Sequence, residues 1–231
     1  MIPTRLPARL QCLADEIPKS NRLIDVGSDH GFISSYALEM NRVQSIIATD
    51  IHRSPAERTR EYLVQQDFAS RSEVYCRNGL SGILLENGDT VVIAGMGGLE
   101  MIQILSKALS EQKGKFPKNT VFLLQPQRSE EELRAFLSGN GFLISAEKIC
   151  FDRGRTYVII ISRYTGRPYS ITLEQKILGP CILESNPPGT ARYLFEKIRS
   201  LEKQRLSRPE LDRVIQFISE RVLFEGGPAN E

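Results

Sequence analysis

The chain has 231 residues, 41% hydrophobic and 25% charged, which suits one sizeable α/β domain or a domain with a smaller appendage. No apolar run approaches the roughly 18–20 residues of a membrane span, and none follows Met1-Ile2-Pro3-Thr4-Arg5, so neither a membrane span nor a secretory signal is expected. Only two histidines (His30 and His52) and the scattered Cys12, Cys76, Cys150 and Cys181 argue against a metal site or a disulfide framework and for a reducing cytoplasm, while the net charge of +2 is lower than that of many nucleic-acid binders but does not exclude a locally basic face.

Leu6, Leu10, Leu13 and Ile17 form one apolar stripe, predicting a short helix that Pro18 stops. Arg22–Val26 reads as a buried strand running into Gly27-Ser28-Asp29-His30-Gly31, with a helix from about Phe32 to Met40. The unit then repeats. Strands are predicted at Ser45–Thr49, Glu73–Cys76, Thr90–Ala94 and Thr120–Leu124, and helices over Pro55–Phe68, after Gly98, and over Glu130–Leu137. Alternation of this kind predicts a mainly parallel sheet covered on both faces. Phe142–Phe151 and Arg155–Arg163 break it. Only Asp152-Arg153-Gly154 separates them, too few residues for a parallel crossover, so an antiparallel hairpin should close the sheet. A parallel sheet ending on an antiparallel strand is the Rossmann-like plan of class I methyltransferases.

Gly166-Arg167-Pro168 marks a boundary between a domain over 1–166 and an extension over 167–231. Gly179-Pro180 and Asn186-Pro187-Pro188-Gly189 predict a linker. Two amphipathic helices follow, with Leu194, Ile198 and Leu201 on one and Leu211, Ile215, Ile218 and Val222 on the other, spaced as in a coiled-coil hairpin. The tail over 225–231 is expected to be disordered.

Open α/β sheets bind ligands at the carboxyl ends of their strands. There Gly27 and Gly31 permit a tight turn and close approach of a ligand. The turn lacks both the dinucleotide glycine pattern and the phosphate-loop lysine, so a ligand without a pyrophosphate fits better. S-adenosylmethionine, with its amino-acid head and sulfonium, suits acidic neighbours such as Asp25 and Asp29. Asp50 stands 23 residues after Gly27 and either accepts from ribose hydroxyls or caps the next helix. Asn78-Gly79 either presents an amide to an adenine or is a plain turn. Gly95-Met96-Gly97-Gly98 exposes backbone groups to a planar ligand. His30 reads as a half-buried imidazole, Phe32 and Tyr36 as core, and Gln125-Pro126 as a substrate contact or a turn.

Taken together, Asp25-Val26-Gly27-Ser28-Asp29-His30, Ile93-Ala94-Gly95-Met96-Gly97-Gly98 and Leu124-Gln125-Pro126, in this order and spacing, resemble the bacterial tRNA (adenine-N1)-methyltransferases that act on adenosine 22. Asn78-Gly79-Leu80, Leu133-Arg134-Ala135-Phe136-Leu137, Asn140-Gly141-Phe142 and Gly179-Pro180 extend the resemblance over nearly the whole chain. The chain departs from the family pattern at Gly31-Phe32, Ser54 and Gln127, and at Arg155-Thr156-Tyr157-Val158. The resemblance implies methyl transfer from S-adenosylmethionine to N1 of a tRNA adenine by a class I domain with a coiled-coil-like extension. It implies cofactor contacts from Asp25, Gly27, Ser28, Asp29, His30, Asp50, Ile51, Asn78, Gly79, Ala94 and Gly95. It also implies that Asp29, Gly95, Met96 and Gly97 face the reaction.

N1 of adenine has a lone pair, so attack requires no prior loss of a proton, and positioning supplies much of the rate. Asp29 is nominated to stabilise the positive charge that develops on the ring, or to take a proton from the amino group. The helix over 190–207 sets Arg192, Lys197, Arg199, Lys203 and Arg205 against Glu196 and Glu202, either to track phosphates or as a solvated face. Arg199, Lys203 and Arg5, with Gln125 and Pro126, are the candidate substrate contacts, and Arg9 adds to a basic rim. The partner expected is tRNA, with no membrane and no metal, on a monomer or weak homodimer. A same-fold methyltransferase with another substrate, a nucleotide-dependent oxidoreductase and a non-catalytic RNA-binding protein are the rival readings.

Overall fold

A computed structural model of the protein describes residues 6–224; Arg5 and the tail over 225–231 lie outside the described residues. The strands are β1 (Ser20–Val26), β2 (Val43–Asp50), β3 (Ser72–Cys76), β4 (Thr90–Ala94), β5 (Val121–Gln125), β6 (Phe142–Asp152) and β7 (Arg155–Tyr164). They form one seven-stranded sheet in the order β3-β2-β1-β4-β5-β7-β6. The first five are parallel, and β7 is antiparallel to both β5 and β6. Asp152 pairs with Arg155, so the hairpin loop is only Arg153-Gly154. Both have positive φ, 48° and 77°, as a type I′ turn requires to match the twist of the strands.

The helices of the sheet layers are α1 (Ala8–Asp15), α2 (Phe32–Glu39), α3 (Arg53–Gln65), α4 (Gly98–Glu111) and α5 (Glu130–Gly139). Strand residues alternate between two apolar clusters, one on each face. Ile24, Val26, Ile93, Phe122 and Leu124 pack beneath α4 and α5 with Met101, Leu105, Leu133 and Leu137. Leu23, Val92 and Leu123 pack on the other face with Leu13, Ile33, Ala37, Leu38 and Leu63 of the α1–α3 side.

The segment after residue 166 departs from the linker that its glycines and prolines predict. It forms α6 (Leu173–Leu178) and α7 (Pro180–Ser185), followed by α8 (Thr190–Glu202) and α9 (Leu211–Phe224). Thr172 caps α6 reciprocally with Gln175, and Pro180 opens α7 where no backbone donor is needed. Ile177, Leu178 and Ile182 are buried, which is why the segment is ordered. The coiled-coil seam is also corrected. Tyr193 and Val214, outside the predicted stripes, are buried, while Ile198 and Ile215 are only partly so. Leu194, Leu201, Leu211 and Ile218 join the same cluster as Phe142 and Ile144 of β6, so the two helices close on the sheet layer as well as on each other.

One polar pair sits inside this packing. Arg134 of α5 and Glu147 of β6 meet at 2.7 Å with both side chains fully buried. Arg134 Nη1 also donates to the carbonyls of Lys176 and Ile177, and Glu147 Oε2 accepts from the backbone of Cys181 and Ile182. Gly179 is glycine for the same reason. A Cβ there would stand 2.5 Å from the Glu147 carboxylate, and its φ is 101°. Removing one partner strands the other charge, so Arg134→Met should cost about 3–5 kcal/mol in urea denaturation, and adding Glu147→Met should recover much of that loss.

Candidate active site

The carboxyl ends of β1, β2 and β4 lie side by side, with Val26 opposite Thr49 and Ile93. Backbone N–H groups of Gly27 and Ser28 both donate to the Thr49 carbonyl, at 2.8 and 3.0 Å, folding the chain back at the end of β1. Gly27, Asp29 and Gly31 all have positive φ, at 74°, 50° and 70°. Gly31 then starts α2. A Cβ there would stand 2.9 Å from the Thr59 methyl, while Ser28 Oγ lies 3.0 Å from Thr59 Oγ1. The turn is therefore held by backbone bonds beneath it and by α3 beside it.

Two cavities flank this turn. One, of about 470 Å³, is lined by Gly27, Asp50, Ile51, Asn78, Gly79 and Met96. A face of α4, Glu100, Gln103, Ile104 and Lys107, completes it. The other, of about 390 Å³, is lined by Asp25, Gly27, Ser28, Asp29, His30, Asp50, Ala94, Gly95 and Met96, with Arg9, Phe32 and Ile33 beside them. Gly27, Asp50 and Met96 line both. The Met96 methyl lies directly over Gly27, where a Cβ would collide with it. Met96 is thus the partition of a single groove, and its flexible thioether is suited to moving.

Asp25 is buried and accepts from Ser34 Oγ at 2.6 Å. Burial raises its pKa to about 6 despite the bonds from Ser34, and nearby Asp50 adds to the rise. Asp50 is also buried, and one of its oxygens accepts from the His52 backbone at 2.9 Å. That bond fixes the turn ahead of α3 but is not a side-chain cap, since the helix's N-cap is His52, and Asp50 lines both cavities. Asp29 is exposed and accepts from Arg58 at 3.0 Å. His30 is half-buried, as its reading had it: its ring is about half exposed and stacks on Phe32 at 5.2 Å. Tyr36 is not simply core, since its hydroxyl donates to Asp15 of α1.

All eleven residues expected to meet the cofactor thus line one cavity or the other. Other positions are corrected. Gly97 lines neither cavity; a Cβ there would meet the Arg128 side chain at 3.2 Å. Gln125 is fully buried, its amide donating to the Pro126 carbonyl and its oxygen accepting from Arg9, and Pro126 is buried too. Neither lines either cavity. Arg199 on α8 and Lys203 just after it are exposed, and Arg5 lies outside the described residues. The α4 face and Arg58 were not anticipated. Glu100, Gln103 and Lys107 share one helical face, a spacing visible in the sequence, but nothing local says what that face meets.

The sheet order, the reversed last strand and a groove at the switch between β1 and β4 define the Rossmann-like plan of a methyltransferase. The methyltransferase domain pattern matches residues 6–160, and the chain belongs to that family. A Mycoplasma genitalium protein provisionally named a tRNA methyltransferase is 31% identical over 181 residues, spanning 76% of this chain and 78% of the relative. The tRNA (adenine(22)-N(1))-methyltransferase of Bacillus subtilis is 27% identical over 158 residues, 68% of this chain and 65% of the relative. The structure of a provisionally identified tRNA (m1A22) methyltransferase of Streptococcus pneumoniae, in complex with S-adenosyl-L-methionine, superposes with a TM-score of 0.80. It is 26% identical and the match covers 94% of this chain and 99% of that one.

Folded Asp25 holds its proton to about pH 6, against an ordinary value of 3.8. The native state binds more protons in that window, so this group's contribution to stability falls as pH rises through it. Asp25→Asn should abolish that fall and raise stability at pH 7.5 by about 1–3 kcal/mol, read as the difference between the two urea denaturation series across pH.

Proposed function

We propose that this chain transfers the methyl group of S-adenosylmethionine to N1 of an adenine in tRNA, at position 22. The observation that carries the reading is the divided groove at Gly27. Its two lobes meet at a glycine turn, and buried carboxylates, Asp25 and Asp50, stand beside it. The relatives' names supply the substrate.

The donor set fits this cofactor. Asp50 keeps lone pairs for ribose hydroxyls after accepting from His52. Asn78 offers an amide beside Ile51 and Ile104, in a lobe suited to adenine. Asp25, Gly27 and Ser28 suit the amino-acid head in the other lobe. When bound, S-adenosylmethionine supplies an electrophilic methyl group on a sulfonium.

The protein's own residues then orient the target base. Gly95, with φ of 78° and no side chain, lets a planar ring approach the backbone at the end of β4. Alkylation of N1 leaves positive charge on the adenine ring. Asp29 lines the lobe that Gly95 lines, and Arg58 holds its carboxylate at 3.0 Å. Asp29 therefore stabilises that charge, with Arg58 as its positioning residue. Because N1 lies on the Watson–Crick edge, the base enters unpaired.

Arg192 and Lys197 of α8, and Arg205 in the turn after it, pair with Glu196, Glu130 and Asp212. Arg199 and Lys203 are exposed with no ion pair among the described residues, which leaves them for tRNA phosphates. Lys197 reaches the start of α5, placing this helix on the groove's side of the sheet.

Mass-spectrometric mapping of nucleosides in tRNA treated with protein and cofactor should show 1-methyladenosine at position 22; a different modified position would redirect the substrate assignment. Asp29→Asn should lower kcat by about 10²-fold while the cofactor Kd from isothermal titration stays nearly unchanged. Equal loss of both would make Asp29 a cofactor ligand. Charge reversal at Arg199 and Lys203 should reduce the salt dependence of tRNA binding, and an unchanged slope would remove α8 from the phosphate path.

A further inference from the structure

Next to the lobe that holds Asp25 and Asp29 lies a separate cavity of about 460 Å³, lined by Pro7, Arg9, Asp152, Arg153, Arg155 and Tyr157. The two share Pro7 and Arg9. We propose that this cavity binds a phosphodiester flanking the target nucleotide and so fixes the base in the adjoining lobe. The inference rests on the tRNA reading above.

Three guanidinium groups converge here against one carboxylate, Asp152. Arg9 is already oriented. Its Nη1 donates to the buried Gln125 oxygen and stands 3.8 Å from where a Gly95 Cβ would be, while its guanidinium lies 5.6 Å from the centre of the Tyr157 ring. A guanidinium held on an aromatic face keeps its remaining donors free for an anion. Arg153 and Arg155 are exposed, and neither side chain has an ion pair or hydrogen bond among the described residues.

The loop that carries them is held firmly. Arg192 of α8 donates to the Gly154 carbonyl at 3.2 Å and lies 4.4 Å over the Phe151 ring. Gly189, just before α8, packs so close to Phe151 that a Cβ would stand 2.7 Å from the ring. The first turn position is Arg153 at φ 48°, where asparagine or glycine is the low-energy choice. An arginine there is costly for the turn and useful only for what its side chain meets.

Position gives the cavity its ligand. In a nucleotide the base and its phosphate project from one sugar. A base in the Asp29 lobe therefore carries its phosphate to the rim that Arg9 shares. Because the phosphate is common to all nucleotides, this contact positions the substrate and carries no base specificity.

The test compares Arg153→Gln/Arg155→Gln with Arg163→Gln, an exposed arginine at the other end of β7. The double variant should bind tRNA on the order of tenfold more weakly, with the slope of log affinity against log salt reduced by about 1 to 2, and with KM for tRNA raised. Its affinity for S-adenosylmethionine should match the wild type, and Arg163→Gln should behave as wild type throughout. If the double variant binds tRNA as tightly and as salt-dependently as a wild type that methylates it, the phosphate site is overturned alone. Equal losses in the double variant and Arg163→Gln would also overturn it, as general surface charge. A wild type that binds S-adenosylmethionine but not tRNA overturns the reading beneath it.

Discussion

Two opposite charges, Arg134 and Glu147, are buried together between α5, β6 and the short helices α6 and α7. Desolvating either charge alone would cost several kcal/mol, so each requires the other and the backbone groups around them. Those groups belong to Lys176, Ile177, Cys181 and Ile182, which makes the pair a common anchor for the chain's last third. Gly179 and Pro180 follow from it, one leaving room for the carboxylate and the other starting a helix beside it. With α6 and α7 placed, α8 and α9 can lay Tyr193, Leu194, Leu211 and Val214 into the same cluster as β6.

That anchor reaches the groove through α8. Arg192 grips the tip of the β6–β7 hairpin, and Lys197 meets Glu130 at the start of α5. From the opposite end of the chain, Arg9 of α1, which lines the groove, joins the buried Gln125 at the end of β5 to Tyr157 of β7. The first helix, the hairpin and the C-terminal helices therefore converge on one rim although they are far apart in sequence. A methyltransferase that relies on positioning its substrate needs such a rim more than it needs a strong acid or base.

The groove itself is mostly a property of the five parallel strands. Asp25, Gly27 and Asp50 were legible because strand ends carry ligands in this fold class and because the turn permits only certain backbone angles. The antiparallel hairpin was legible from loop length alone. Gln125 and Gly97 misled for one reason: a polar or glycine residue at a strand end looks the same whether it lines a cavity, as Gly95 does, or meets a neighbouring segment, as Gly97 faces Arg128. The predicted linker failed because glycine and proline also start and cap short helices, which long-range burial then stabilises.

By itself, the sequence determined the alternation of strands and helices, the tight turn after β1, the acidic residues at the strand ends and the reversal of the last strand. Each depends on hydrophobic period, backbone sterics or loop length, all local in the chain. Only the tertiary structure decided that Arg134 meets Glu147, that Met96 divides the groove, that Arg58 holds Asp29, and that Arg9 stands between two cavities. These pairings join residues from different elements, and their energy comes from desolvation and contact that exist only once the layers have packed.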